Sequence, residues 1–422
     1  MVGAGLGGLA AALRLRARGL RVSVVERLDG PGGRAYEFAR GAHRYDAGPT
    51  VLTAPVLFEE LFALFGERLA DHIELMPVTP WYRMQFDDGS VFNYGGSTEQ
   101  IQAEIAKFSV ADAARYPAYL AWSEKLFDKG YTELGDRAFP GAMSMLKALP
   151  AMLRLRADRS FYTLTAKYFR SKRIRRAFSI QPLLVGGDPF HTTSIYSLIH
   201  FLERKWGVWF PRGGMAALVR ALVALGRRQG IEFHWGRTVA KIAQTADGAV
   251  SGLVFSDGTQ LAADKVVANA DPGFVLSKLV QGPGSVPLDT QRRKYSMSLF
   301  VWYFSTRTTY DNVAHHTILF GKTYREVLQK IFHDKVLPDD LSIYLHRPGA
   351  TDAQYPVSGN DSFYALVPVP NLGAQIDWAI EGPKLKMLLQ KELQARVLPG
   401  LDGLVVDEHF VTPNYFEEQL LS

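Results

Sequence analysis

An α/β fold with a Rossmann-like nucleotide-binding domain is predicted by three neighbouring features of this 422-residue sequence. Gly3, Gly5 and Gly8 have the G-x-G-x-x-G spacing that joins a strand to a helix. An apolar helical face follows, and then a strand-like run from Val22 to Val25 that ends at Glu26.

Each residue type has a physical task. Gly3 permits the tight turn, Gly5 lets backbone approach a pyrophosphate, and Gly8 allows close packing of helix on strand. The helix N-terminus favours the phosphate charge. Leu6, Leu9, Ala10, Leu13 and Ala17 share one helical face, and Gly19 is a fitting stop. Arg14, Arg16 and Arg18 lie toward the helix end that favours cations. Glu26, about 20 residues beyond the glycines, suits a pair of ribose hydroxyls.

The next stretch, "ERLDGPGGRA", indicates which dinucleotide is held. Gly32 and Gly33 let a second backbone turn lie against a phosphate face, and Arg34 supplies charge. A nicotinamide enzyme needs no such second element, so the expected cofactor is FAD. Only Met1 and Val2 precede the first glycine, where a strand feeding such a turn runs ~5–6 residues. The start is therefore expected to be trimmed, or its start codon late.

Farther along, "RYDAGPTVLT" forms a turn expected beside the flavin, with Asp46, Gly48, Pro49 and Thr50. Asp88-Gly89 inside "YRMQFDDGSVFNY" is a hairpin signal. Residues 99 to 206 read as mostly helical, broken by Pro117, Pro140, Pro150 and Pro182. Nucleotide-domain character returns at "WFPRGGMAALVRALVALGRRQG", where Met215, Leu218, Val219, Leu222 and Leu225 make a helical face. Turns at Asp247-Gly248 and Asp257-Gly258 then space a strand meander that leads to a strand at Val266–Ala270. "SLFVWYF", "LSIYLH" and "FYALVPV" read as strands of a second sheet. The FAD-binding domain is thus built from discontinuous segments, 1–80 and 208–290. An interwoven α+β substrate domain, 81–207 and 291–422, carries a helical membrane-facing part.

Composition narrows the chemistry. The chain has no cysteine, which excludes disulfides, thiolate metal sites and cysteine nucleophiles. Its 47% hydrophobic and 12% aromatic content leaves much apolar surface to line something. No secretory segment and no spanning run of ~18 apolar residues is present, so a cytoplasmic setting is expected. The net charge of +6 suits an anionic surface.

"DAGPTVLT", "PLLVGGDPF", "SIYSLIHFLERKWGVWFPRGGMAALV" and "VVANAD" together resemble the bacterial-type phytoene desaturases, with "IEGPKLK" and "FVTPNYFEEQLLS" extending the likeness across the chain. The resemblance implies an FAD flavoprotein of the amine oxidase fold, acting on an acyclic C40 polyene, phytoene. Successive desaturations lead toward neurosporene or lycopene, with quinone or oxygen reoxidising the flavin. It implies FAD contacts from Gly3, Gly5, Gly8, Glu26, Gly33, Arg34, Gly48, Pro49 and Thr50, with Val239 behind the adenine. Arg159 in "ADRSFYT" matches a family arginine near the reaction centre, whereas Asp158 is given no role. Family members continue beyond this C-terminus into another flavin segment, so both ends are expected to be cut and FAD to be held poorly.

A carotene offers nothing to hydrogen-bond, so the residues are expected to supply a dry channel and alignment, with no catalytic triad and no metal site. His315 and His316 are the tempting metal pair, but neighbours in a strand face opposite sides, which predicts surface or structural histidines. Residues 143 to 178 carry ten Lys or Arg and one acid among Leu, Phe, Tyr and Met. Such a segment predicts peripheral contact with the inner face of the cell membrane. No nucleic-acid motif accompanies the charge. An enzyme on another polyene, whether oxidoreductase or isomerase, is the nearest alternative. An amine oxidase would want a polar pocket for a cation, and a non-enzymatic prenyl-lipid escort would have no use for Glu26 or Gly33-Arg34.

Overall fold

A computed structural model describes residues 1–137, 142–280 and 295–421. Ser23–Val25 pairs in parallel with Glu232–His234, Val24 opposite Phe233. Val2 lies on the other side, bridged in parallel to both Val25 and Ala268. Two helices cover this small parallel sheet: Leu6–Ala17, directly after the glycine turn, and Met215–Arg228. Leu9, Leu13 and Val24 pack with Leu218, Leu222 and Leu225 in one buried cluster. The helical spacing read from the sequence is the spacing that closes this core.

The meander is antiparallel, Val239–Gln244, Val250–Phe255 and Gln260–Ala262, with turns at the two Asp-Gly pairs. The expected strand at Val266–Ala270 is reduced to the single bridge at Ala268. Its neighbour contributes only Val2 there, and Asp271 then caps a new helical turn by accepting the N–H groups of Gly273 and Phe274.

The second sheet has seven strands in the order 405–411, 298–306, 361–369, 343–346, 316–319, 82–85 and 91–94. Ser298–Thr306 is flanked by strands on both sides and buried almost throughout, which is why "SLFVWYFST" is apolar without alternation. Phe300, Trp302, Phe304 and Phe363 pack against Leu385, Leu389 and Leu393 of the helix Trp378–Arg396. The hairpin at Asp88-Gly89 joins the far edge, where Thr317 pairs in parallel with Arg83. Residues 82–94 are therefore continuous, by backbone pairing, with strands more than 200 positions later.

Helices fill most of 98–206, started by serine caps at Ser97, Ser109, Ser160 and Ser171. Three of the expected prolines do not break anything. Pro117 and Pro182 sit in first turns, where a missing N–H costs nothing, and Pro150 lies inside Ala142–Arg154. Pro140 and the expected boundary near 290 lie outside the described residues.

Candidate functional site

A groove opens above the C-terminal ends of the parallel strands, between the glycine turn and the start of the meander. Gly3, Gly5, Glu26, Gly32, Gly33 and Arg34 line it, together with Val239, Asn269 and Ala270. Eight of the eleven residues expected to hold the cofactor are here, Pro49 completing the set.

Two glycine turns are stacked back to back to form its floor. Gly32 donates its N–H to Ala4 O at 2.9 Å, and Gly5 and Gly32 bridge in parallel. Gly33 has φ +55°, and a Cβ there would stand 3.3 Å from the Gly5 Cα. Gly8 lies outside the groove and acts through packing. A Cβ on it would come within 2.1 Å of the Gly3 carbonyl oxygen, so only glycine lets the helix sit this close. The unpaired N–H groups of that helix's first turn, with the bare backbone of both turns, form a cradle for phosphate.

Glu26 ends its strand buried at 7% exposure. Its Oε2 accepts the Ala4 N–H at 2.8 Å and its Oε1 accepts the Leu28 N–H at 3.0 Å. Two backbone donors fix the carboxylate, and each oxygen keeps a lone pair for a hydroxyl in the groove. Cradle and carboxylate line the same groove, as a dinucleotide's pyrophosphate and ribose require. The residues fit FAD.

Gly48 and Thr50, also expected at the flavin, lie outside the lining of this groove. Gly48 runs under Arg34, leaving 2.4 Å between a Cβ there and the Arg34 carbonyl oxygen. Thr50 is buried, its hydroxyl 2.9 Å from Tyr344 Oη and 3.1 Å from Tyr364 Oη. Tyr364 donates to Gly48 O and Tyr303 to Ala47 O. Asp46 accepts the Met215 N–H at 3.0 Å, and burial pushes its carboxyl up to about 7. The motif thus binds the helix Met215–Arg228 to the second sheet and leaves only Pro49 at the groove.

Asn269 is a groove residue the sequence reading did not single out. Its amide occupies the space a Cβ on Gly7 would need, 2.7 Å from Oδ1. The missing side chain at Gly7 was the available signal.

Comparison with known proteins agrees with this geometry. Residues 6–310 match the family of flavin containing amine oxidoreductases. Over its whole length the chain is 42% identical to the lycopene-forming phytoene desaturase of Pantoea ananas, spanning 86% of that protein. The neurosporene-forming phytoene desaturase of Rhodobacter capsulatus is 38% identical, with 100% of this chain and 82% of that protein aligned. This chain belongs to the phytoene desaturases. It is an oxidoreductase, and its cofactor is FAD. Among solved structures, an oxidoreductase from Methanosarcina mazei has the same fold, with TM-score 0.64, 12% identity and coverage of 97% of this chain and 86% of that one. Putrescine oxidase bound to putrescine has TM-score 0.60 at 12% identity, covering 99% and 85%.

In this phytoene desaturase Arg159 lies away from the groove, its side chain 58% exposed and 3.3 Å from Asp158, the acid to which no role was given. The two adjacent histidines do not face opposite sides as strand alternation predicted. His315 and His316 are both buried, with rings 4.4 Å apart, and His346 joins them. The strand begins only at His316, so the bend at His315 turns both rings to one side. Tyr344 Oη lies 2.6 Å from His316 Nδ1, and His315 Nδ1 2.7 Å from Thr351 Oγ1. Burial holds all three imidazoles well below the usual histidine range.

The basic segment divides into two parts. Arg173 and Arg176 pair with Asp88 and Asp87 of the hairpin, Arg176 also donates to Gly321 O and Lys322 O, and Arg175 donates to Phe169 O. These cations hold the fold together. The apolar exposure lies earlier, on Ala142–Arg154, where Met143, Leu146, Leu149 and Leu153 are 46–67% exposed. Among the described residues no helix is long and apolar enough to cross a membrane.

Proposed function

We propose that this chain desaturates phytoene to more conjugated carotenes, toward neurosporene or lycopene. The observation that carries this reading is the alignment of the entire chain, at 38–42% identity, with phytoene desaturases that form those products. Bound FAD supplies the two-electron oxidation, taking a hydride while a proton leaves the adjacent carbon. The chain's own residues bind and orient. Gly3, Gly5, Gly32 and Gly33 cradle the pyrophosphate, Arg34 adds charge at the rim, Glu26 accepts the ribose hydroxyls, and Val239 backs the adenine. Residues 1–80 and 208–290 act as the FAD-binding part, and 81–207 with 291–422 as the substrate part. A quinone or oxygen takes the electrons onward.

Phytoene is insoluble in water, which favours a protein resting on the bilayer that stores it. The exposed leucines of Ala142–Arg154 recur at helical spacing and support insertion at the inner, cytoplasmic face of the cell membrane, with Arg154 and Arg156 toward the headgroups. Arg159 follows directly and is assigned to the region where the polyene enters. Incubating the FAD-loaded protein with phytoene in anionic liposomes and a quinone, then separating the products by chromatography, tests the reading. Neurosporene or lycopene is the expected product. Unchanged phytoene, with FAD bound, would refute it.

A further inference from the structure

Asp188 and His191, three positions apart, meet the distant His333 at one point on the protein surface, outside the FAD groove. His191 Nδ1 is 2.6 Å from Asp188 Oδ2, His333 Nε2 is 3.4 Å from the same oxygen, and the two nitrogens are 3.3 Å apart. No other combination of one carboxylate with two imidazoles lies so close among the described residues. We propose that these three side chains form a binding site for a first-row divalent transition metal of the Zn²⁺ class, open to water on its outer side.

The geometry of the donor triangle supports an ion. With Zn–N and Zn–O bonds of ~2.0–2.2 Å, a cation equidistant from the three atoms would sit about 1 Å above their plane. That leaves its outer positions for water, the arrangement of two histidines and one carboxylate on a single face. Imidazole nitrogens select such metals over Mg²⁺ and Ca²⁺, which prefer all-oxygen shells.

Orientation and access are already in place. Asp188 is buried at 7%, and its Oδ1 accepts the Phe190 N–H at 2.9 Å, which turns Oδ2 outward. His191 and His333 are 63% and 41% exposed, so a hydrated ion can arrive and shed water there. The carboxylate supplies the negative charge that the buried cluster of His315, His316 and His346 lacks.

The site joins two parts of the molecule. Asp188 and His191 belong to the loop that receives the backbone around Arg159: Tyr162 donates to Pro189 O, Phe161 to Thr192 O, and Ser194 to Arg159 O. His333 comes from the turn after the helix Tyr324–Gln329, beside the second sheet. An ion held by all three would therefore clamp the loop beside Arg159 to the sheet.

Zn²⁺ and Co²⁺ are the probes. Equilibrium dialysis of the FAD-loaded full chain should find one Zn²⁺, and Co²⁺ should give a visible ligand-field band that Zn²⁺ displaces. The variant His191→Ala/His333→Ala removes two exposed side chains and should lose ~100-fold or more in Zn²⁺ affinity, together with the band and the Zn²⁺-dependent rise in Tm. Asp188→Asn should lose the same signals. Equal Zn²⁺ binding and the same Co²⁺ band in wild type and the double-histidine variant would overturn the assignment and move the ion to the buried histidines. Absence of either ion from the wild type would overturn it outright.

Discussion

The Glu26 carboxylate accepts the backbone N–H of Ala4 at 2.8 Å, so the acid that ends one strand holds the glycine turn that begins the fold. Glu26→Ala is expected to remove both this tether and the acceptor for ribose hydroxyls. Loss of hydrogen bonds to a charged group should weaken FAD binding by ~2–3 kcal/mol. Flavin titration measures it, and an unchanged Kd would remove Glu26 from the ribose site.

Gly8→Ala is expected to act without touching the cofactor. The new methyl would meet the Gly3 carbonyl at 2.1 Å, and that atom is backbone and cannot swing aside. The helix Leu6–Ala17 has to move, at ~1–3 kcal/mol of stability. Thermal unfolding of the apoprotein should therefore drop along with FAD affinity, whereas Glu26→Gln should lower mainly the affinity.

Glu203 is fully buried, accepting from Tyr94 Oη at 2.8 Å and Tyr82 Oη at 3.0 Å, and burial pushes its carboxyl up to about 7. A raised folded pKa means the folded state holds the proton more tightly than the unfolded chain does. That contribution is complete below the ordinary value of 4.5 and is lost as pH rises toward about 7. Asp46 adds in the same direction, whereas the buried imidazoles of His200, His315, His316 and His346, held low, make stability rise with pH, so the Glu203 share is read as a difference between proteins. From about pH 4.5 to 8 the stability of wild type minus that of Glu203→Gln should fall as pH rises, and a difference that does not change with pH would show that Glu203 does not titrate there.

Membrane contact and fold stability are expected to separate along the basic segment. Replacing Leu146, Leu149 and Leu153 with serine should weaken binding to anionic liposomes by up to ~2 kcal/mol per leucine, while leaving Tm nearly unchanged. Replacing Arg173 and Arg176 with glutamine should lower Tm, because both guanidinium groups are engaged by the hairpin. Sedimentation with liposomes and thermal unfolding, run on both variants, check the division. Liposome binding that is insensitive to the leucines would overturn it.

Local features of the sequence carried the nucleotide half of the fold far. The spacing of Gly3, Gly5 and Gly8, the helical face from Leu6 and the strand before Glu26 are all short-range patterns, and the chain folds them as read. What was not legible depends on distant partners. Thr50 resembles a cofactor contact in its motif, yet two tyrosines some 300 positions later take its hydroxyl. Arg173 and Arg176 resemble a solvated basic face until the hairpin brings Asp88 and Asp87 beside them. His315 and His316 were assigned to opposite faces by strand alternation, a rule that fails where the strand starts between them. Asn269 carries no signal of its own, because its place follows from the bridge between Val2 and Ala268.

The central claim is that FAD in the groove beside Glu26 takes its electrons from phytoene. Mixing the FAD-loaded protein with phytoene-containing liposomes in the absence of oxygen and quinone tests it most directly. The oxidised flavin absorbance should bleach as new polyene absorbance appears, one double bond for each flavin reduced. A flavin that stays oxidised while phytoene is present in excess would contradict the account.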